Sequence, residues 1–156
     1  MKNFEDPENI ASWGKNSIPK EIEDKAPYAE VQRVVQSLKL ENLENFEYNG
    51  RTHQLLSASD GYGRPIEYFA STELDGCDIY IWDSLMEKDL DFLRVALAHE
   101  LAEISIDDIL GHERKEEAHQ LALLYEARYK MENLTDGKIQ QFETFSKELR
   151  EKEYEE

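Results

Sequence analysis

The sequence predicts a single α+β domain over residues 1–156, in which a small sheet of about three strands packs on a pair of helices, with further helices at both ends. Three observations indicate this fold. Residues 52–82 contain short runs that resemble strands, while the segments before and after them have helical periodicity. The chain shows no internal repeat that would divide it. Hydrophobic residues make up 40% of it, which is enough for a core.

The composition is strongly acidic, with 18 basic and 35 acidic residues, a formal net charge of −17 and a pI near 4.6. No basic surplus exists to displace counterions from phosphates, so we expect no direct binding of nucleic acid and none to a membrane. The single cysteine, Cys77, cannot form an internal disulfide. With no secretory leader at its start and no apolar run of about eighteen residues, the sequence predicts a cytoplasmic protein.

The N-terminal part is predicted to contain one helix. Residues 1–26 are polar and carry several prolines and acidic clusters, which favours an irregular arm that Trp13 or Ile18 pins to the domain. Over residues 28–40, valine and leucine side chains recur at steps of three and four, as on the buried face of an amphipathic helix. Asn49-Gly50 then predicts a turn.

Three strands are predicted in the middle of the chain, over residues 52–59, 66–72 and 77–82. The sequence Asp60-Gly61-Tyr62-Gly63 separates the first two. Its residues tolerate positive φ, so we expect a hairpin there. In the third run, CDIYIW, the cysteine and the isoleucines share one face and the aromatic rings share the other. The pattern leaves the order of the strands open.

Three helices are predicted after the sheet. Ser84 and Glu87 form a capping box, which starts a helix that we expect over residues 84–106. A second helix is expected from residue 113 to about residue 131, and a third follows a break that contains glycine. We expect the acidic residues 150–156 to fray as a tail.

The segment Phe92–Ile106, FLRVALAHELAEISI, is where we expect the functional site. Ten of its fifteen residues are apolar in a chain that is 34% charged, so this helix is predicted to be buried on several sides. At about 100° per residue, Glu103 lies about 40° and Glu100 about 100° from His99 around the helix. These three side chains share one sector, and burying them is costly unless they have a common partner.

A divalent metal ion is the simplest such partner. Side chains four residues apart on a helix have Cβ atoms about 5–6 Å apart, so His99 and Glu103 can ligate one ion. Glu100, next to the first ligand, points toward the place where a water on that ion would lie. This position suits a general base.

The stretch VALAHELAE resembles the active-site helix of zincin metallopeptidases, whose motif is H-E-x-x-H. The strand CDIYIW, this helix and then a helix that begins EEAHQLALL are together similar to the ImmA/IrrE type. The resemblance covers residues 79–125 and implies a zincin-like, minimal gluzincin-type fold, one zinc ion and hydrolysis of a specific partner protein. The family's E-A-N-x-F-A-like motif matches EAHQLA, which implies metal ligands His99, Glu103 and Glu117 with Glu100 as the catalytic base.

Helical-wheel positions on the second helix favour the same third ligand. Glu117 lies at the edge of the apolar stripe of Leu121 and Leu124, whereas Glu116 and His119 are predicted to point away. If the second helix folds back antiparallel, Glu117 reaches the level of the first two ligands.

Glu103 stands where the family has its second histidine. Two carboxylate ligands would neutralise the ion and weaken it as a Lewis acid. Mn²⁺ or another ion could then replace zinc, or the metal could be absent or bound without hydrolysis. The alternative hypothesis is a catalytically degenerate binding or regulatory protein of the same fold. Two remoter alternatives are an acidic protein that mimics DNA, which only the charge favours, and a di-iron carboxylate bundle, which the strands argue against.

The resemblance also predicts how a protein or peptide partner would bind. In zincin-like folds an edge strand beside the site pairs with an extended peptide, and residues 77–82 are the candidate edge. His53, away from the site, is interpreted as a strand residue without a chemical role.

Overall fold

The computed structural model describes residues 18–40, 45–61, 64–71 and 76–153, and their architecture is α+β, as predicted. The described residues form six α-helices, one 3₁₀ turn and a four-stranded sheet. In chain order the elements are α1 (Lys20–Lys25), α2 (Tyr28–Ser37), β1 (Phe46–Tyr48), β2 (Arg51–Ala58), β3 (Ile66–Ser71), β4 (Gly76–Trp82), α3 (Asp83–Lys88), α4 (Leu90–Leu110), the 3₁₀ turn (His112–Arg114), α5 (Lys115–Asn133) and α6 (Asp136–Glu153).

The sheet has the strand order β1-β2-β4-β3, with β2 parallel to β4 and the other neighbours antiparallel. The three predicted strands correspond to β2, β3 and β4 within one residue at each end. The predicted hairpin between β2 and β3 is wrong, because β4 lies between them. A tight hairpin occurs instead at the predicted turn Asn49-Gly50, between β1 and β2, where φ is 56° and 76°.

β4 lies inside the sheet, so the expectation that residues 77–82 form an edge strand is wrong. This strand pairs with β2 on one side and with β3 on the other. Cys77, Ile79 and Ile81 share a buried face, as the alternation predicts. Alternation alone cannot distinguish an edge strand from a central one, because both can have one buried face. Among the described strands, β1 and β3 are the outer ones.

Residues 18–26, the described part of the N-terminal segment, are more ordered than predicted. Residues 1–26 were expected to form an irregular arm, but Lys20–Lys25 form α1 and bury Ile22. Ile18 is 5% exposed and packs in the core, which confirms its predicted role as a pin. Trp13 lies outside the described residues. The helix predicted over 28–40 is confirmed as α2, which ends three residues earlier.

The helix predicted over residues 84–106 is two helices, α3 and α4. The break occurs at Asp89, whose extended backbone (φ −169°) precedes α4 and whose Oδ1 accepts a hydrogen bond from the backbone N–H of Asp91 at 2.8 Å. Such a side chain satisfies one of the free N–H groups at a helix start. The other carboxylate oxygen of Asp89 lies 3.0 Å from Nζ of Lys138 on α6. The residue at the break therefore also contacts the last helix.

α4 and α5 form the predicted central helix pair. α4 is buried on most of its surface, in agreement with its apolar composition. It is followed by Gly111 at φ 97°, a conformation that favours glycine. α5 returns antiparallel, since His99 on α4 lies against Glu126 on α5 while Glu103 lies against His119.

α6 follows the predicted break and packs Phe142 and Phe145 against Phe92 at the start of α4, with ring centroids 5.5 and 5.7 Å away. Fraying was predicted from residue 150, but the helix continues to Glu153; the last three residues lie outside the described part. No helix in the described ranges combines the length and the apolar character needed to cross a bilayer.

Candidate metal centre

His99 lies in the interface between α4 and α5 and is 6% exposed. The apolar sequence around it buries α4, and the alanines of both helices let the two backbones approach closely, since Ala98 and Ala118 are both fully buried. Each ring nitrogen of His99 faces a different set of polar groups. A buried imidazole with charged or polar groups close to both nitrogens is restricted in its orientation, which is the property required of a metal ligand.

Three side chains meet at Nε2 of His99. This atom lies 3.2 Å from Nδ1 of His119 and 3.4 Å from Oε1 of Glu103. Nδ1 of His119 is also 3.9 Å from Oε2 of Glu103. One potential ligand atom from each residue lies within 4.8 Å of the other two, so a single ion can reach all three. Two imidazole nitrogens and one carboxylate oxygen are donors that first-row divalent metals accept.

The side chains that α4 contributes to the cluster are more buried than the one that α5 contributes. The side chains of His99 and Glu103 are 8% and 18% exposed, whereas that of His119 is 33% exposed. An ion held here would therefore keep a coordination position accessible from solvent. Catalytic metal sites have such an open position, whereas structural sites are fully enclosed by protein ligands.

Without a metal, the cluster holds a proton on His99. Burial is the largest single influence on the pKa of His99 and lowers it, but the carboxylates of Glu103 and Glu126 together outweigh burial and raise the pKa to about 10. For both of these glutamates, burial is again the largest influence and raises the pKa, but their cationic partners outweigh it and lower the pKa to about 2. At neutral pH the cluster is therefore an imidazolium between two carboxylates, and a metal ion has to replace that proton.

Glu100 is the next residue on α4 and is 7% exposed. Burial raises its pKa to about 8, with contributions in the same direction from the carboxylates of Glu103 and Glu67; the charges of His99 and Arg64 lower it but do not outweigh burial. Glu67 belongs to β3, a strand that contacts α4. Such a value near neutrality is one that enzymes use for general acid–base catalysis.

The other nitrogen of His99 faces Glu126. Nδ1 lies 3.1 Å from Oε1 of Glu126, somewhat off the ideal N–H direction. Oε2 of Glu126 lies 3.5 Å from Nζ of Lys130, and that ammonium lies 2.7 Å from Oε1 of Glu143 on α6. A continuous series of polar contacts thus links the cluster to α6.

The structure brings together two of the three predicted ligands. His99 and Glu103 meet as their spacing predicts. Glu117 does not join them: its side chain is 49% exposed and its carboxylate accepts two hydrogen bonds from Arg114, at 2.8 and 2.6 Å. The third member of the cluster is His119, which the helical-wheel argument directed away from the site.

The sequence does contain a signal for His119. The large apolar residues Leu121 and Leu124 taken alone define an inner face of α5 that excludes His119. A second buried face carries the small residues, Ala118 and Ala122, beside His119. Alanines contribute little to a hydrophobic pattern, yet they mark a close helix–helix contact, and His119 lies at the border of the face that they form, about 60° around the helix from Ala122.

His53 and Cys77 form a separate buried pair in the sheet. The Nε2 nitrogen of His53 lies 2.9 Å from the backbone carbonyl of Tyr48, which can only accept, so Nε2 carries the proton and Nδ1 accepts from the thiol of Cys77 at 2.7 Å. Burial lowers the pKa of His53 and raises that of Cys77 to about 12. Both groups are therefore neutral and fully used in hydrogen bonds, which agrees with a structural role for His53.

No protein-family model, curated protein or solved structure was found to match the chain. The similarity to ImmA/IrrE-type zincins therefore stays a prediction from the motif.

Proposed function

We propose that this protein binds one divalent metal ion through Nε2 of His99, a carboxylate oxygen of Glu103 and Nδ1 of His119. The observation that carries the proposal is the convergence of these atoms within 4.8 Å of one another at a largely buried interface. Burial supports it further, because polar groups removed from water require a partner, which the proton on His99 supplies in the metal-free protein and an ion would supply in its place. A metal ion satisfies all three at once.

The donor set favours zinc. Two histidines and one glutamate are the ligand types of catalytic zinc sites that keep a fourth position open, although the same set with more open positions also suits Fe²⁺. With His119 in place of Glu117, only one ligand is anionic. The bound ion then retains a net positive charge, which removes the objection that two carboxylates would neutralise it.

The activity we propose is metal-dependent hydrolysis of a peptide bond in a specific partner protein, as the resemblance to ImmA/IrrE-type zincins implies. A zinc ion held by His99, Glu103 and His119 would supply Lewis acidity and lower the pKa of water. Glu100 would act as the general base. Its pKa is about 8 without metal, and the charge of a bound ion would lower it, so that the carboxylate could accept a proton from water and return it to the leaving amine. A cytoplasmic location is part of this proposal, in keeping with the single cysteine.

The surface that would receive the substrate is the outer edge of β3, beside which no further strand lies among the described residues. This strand is at one end of the sheet, and Glu67 on it lies near enough to influence the pKa of Glu100. An extended peptide can add to such an edge through main-chain hydrogen bonds.

A second candidate is a metal-binding regulatory protein without hydrolytic activity. Two features favour it: Glu103 replaces the histidine of the motif, and Glu100 is protonated at neutral pH in the metal-free state because its pKa is about 8. A protonated carboxyl cannot act as a base. The cation at the neighbouring site would lower this pKa, so the two candidates differ in whether Glu100 ionises when metal binds.

The experiment has two parts. Purified protein is loaded with Zn²⁺, dialysed and analysed for metal content, alongside His99→Ala and Glu100→Gln. We expect about one ion per chain in the wild type and in Glu100→Gln, and a large loss in His99→Ala. Candidate partner proteins are then incubated with the wild type and with Glu100→Gln. Cleavage by the wild type alone supports the hydrolase, and stoichiometric metal without cleavage supports the regulatory protein. A wild type that retains no ion contradicts both.

A further inference from the structure

We propose that Glu126 positions His99 for metal binding, and that Lys130 and Glu143 hold Glu126 in the required orientation. This inference rests on the proposed function, because it concerns how the same metal site is built. It adds residues from α5 and α6 that do not touch the ion.

The two nitrogens of His99 have different tasks. A neutral imidazole has one N–H group and one lone pair, on opposite nitrogens. If Nε2 donates its lone pair to the ion, Nδ1 must carry the proton and needs an acceptor. Oε1 of Glu126 lies 3.1 Å from Nδ1 and is such an acceptor. A carboxylate in this position fixes the tautomer and the ring orientation and makes the imidazole a stronger ligand.

Glu126 lies on the far side of the ring from the cluster, so it does not compete for the ion. Its second oxygen is 3.5 Å from Nζ of Lys130, a side chain only 3% exposed. Nζ of Lys130 is in turn 2.7 Å from Oε1 of Glu143. A buried ammonium is costly unless it is paired, so Lys130 stays with its two carboxylates. This contact keeps the second oxygen of Glu126 turned away from His99.

The contacts connect three helices. His99 is on α4, Glu126 and Lys130 are on α5, and Glu143 is on α6. The side chain of Glu143 is 49% exposed, so it can be changed without opening the core. Docking of α6 therefore supports the metal site through Lys130, although α6 contributes none of the three ligand atoms.

The substitution Glu126→Gln is a sharp test because it keeps the shape of the side chain. Both carboxylate oxygens of Glu126 are acceptors: Oε1 faces Nδ1–H of His99, and Oε2 faces the ammonium of Lys130. Glutamine has only one acceptor oxygen. Whichever way its amide turns, an NH₂ group faces one of these two donors, so one contact is lost.

Affinities for Zn²⁺ are measured by competition with a chromophoric chelator. We expect Glu126→Gln to bind Zn²⁺ about 10–100-fold more weakly than the wild type, the usual effect of losing such a partner. The matched control is Glu132→Gln, on the same helix, where the exposed carboxylate pairs with Arg128 and not with the site. Glu143→Gln should weaken binding by a smaller factor, and Glu148→Gln, also on α6, should not change it.

Two further readouts separate positioning from general destabilisation. The ¹⁵N NMR spectrum of the zinc-loaded wild type should show His99 protonated at Nδ1, and this tautomer should be depleted in Glu126→Gln. The visible spectrum of the Co²⁺-loaded protein should change in Glu126→Gln and remain unchanged in Glu132→Gln. Wild-type affinity and spectra in Glu126→Gln would overturn this inference and leave the metal site itself intact. A wild type that binds neither Zn²⁺ nor Co²⁺ would overturn the proposed function and this inference with it.

Discussion

Nε2 of His99 lies 3.2 Å from Nδ1 of His119, and the two rings meet edge to face with centroids 4.8 Å apart. The residues are 20 positions apart in the chain and come from two antiparallel helices. Two nitrogens that face each other at this distance can share one proton, or each can give its lone pair to a metal ion between them. The carboxylate of Glu103 beside both rings favours a cation in either case.

The first prediction concerns the pH dependence of metal binding. The metal-free protein holds a proton on His99, whose pKa is raised to about 10 by Glu103 and Glu126 against the effect of burial. Because the ion displaces this proton, the apparent affinity for Zn²⁺ should rise with pH, by about tenfold per unit at neutral pH. Chelator competition at several values between about pH 6 and pH 8 measures the slope. An affinity that does not change over this range would mean that His99 is not a ligand.

The second prediction concerns the stability of the metal-free protein. Burial raises the pKa of Glu100 from 4.5 to about 8, so the folded state holds this proton more tightly than the unfolded state. The contribution of Glu100 to the free energy of unfolding is therefore fully present below pH 4.5 and is lost as the pH rises to about 8. Each unit of pKa difference corresponds to about 1.4 kcal/mol, so the loss amounts to a few kcal/mol.

The variant Glu100→Gln has no proton to lose. Relative to the wild type, it should become progressively more stable from pH 5 to pH 8, measured by urea denaturation with a chelator present. His99 also loses stabilisation as the pH rises, since its pKa is raised, but this affects both proteins. A constant difference between the two proteins over this range would show that Glu100 is ionised throughout.

The third prediction concerns the break between α3 and α4. Asp89 caps α4 through the N–H of Asp91 and contacts Lys138 on α6. Asp89→Ala should lower the free energy of unfolding by about 1 kcal/mol, which corresponds to a decrease in Tm of about 2–4 °C for a chain of this size. Asp89→Asn keeps the capping oxygen and loses only a partly exposed ion pair whose Lys138 also contacts Asp91, so its Tm should stay close to that of the wild type. Equal effects of both substitutions would show that the ion pair, and not the cap, is the important contact.

Much of the fold could be predicted because its signals are local. The valine stripe of α2, the alternation in β4 and the apolar character of α4 are each contained in one segment. The order of the strands was not predictable in this way, since β2 pairs with β4 across an intervening strand. The break at Asp89 was missed because the spacing of Ser84 and Glu87 fits a helix start equally well by pattern, but the predicted capping box is wrong: α3 begins at Asp83 and has no side-chain cap.

The residues of the candidate metal centre also fall into two groups: those that spacing along one helix predicts, and those that depend on contacts between helices. His99 and Glu103 were found because they are four residues apart on one helix, and spacing alone places them together. His119 and Glu126 come from another helix, and their contact with His99 depends on how α5 rotates about its axis. That rotation depends on the close packing of small residues such as Ala122, which is fully buried. Small residues contribute little to a hydrophobic pattern, so the sequence gives little indication of the rotation.

The most direct test compares two residues of α5 that are two positions apart. Affinity for Zn²⁺ is measured for His119→Ala and Glu117→Ala beside the wild type, with circular dichroism to verify that both variants are folded. We expect His119→Ala, which removes a ligand itself, to lose more affinity than the about 10–100-fold that loss of a ligand's hydrogen-bond partner costs. Glu117→Ala should bind like the wild type, because Glu117 is exposed and paired with Arg114. Loss of binding in Glu117→Ala with wild-type affinity in His119→Ala would contradict the arrangement of the metal centre.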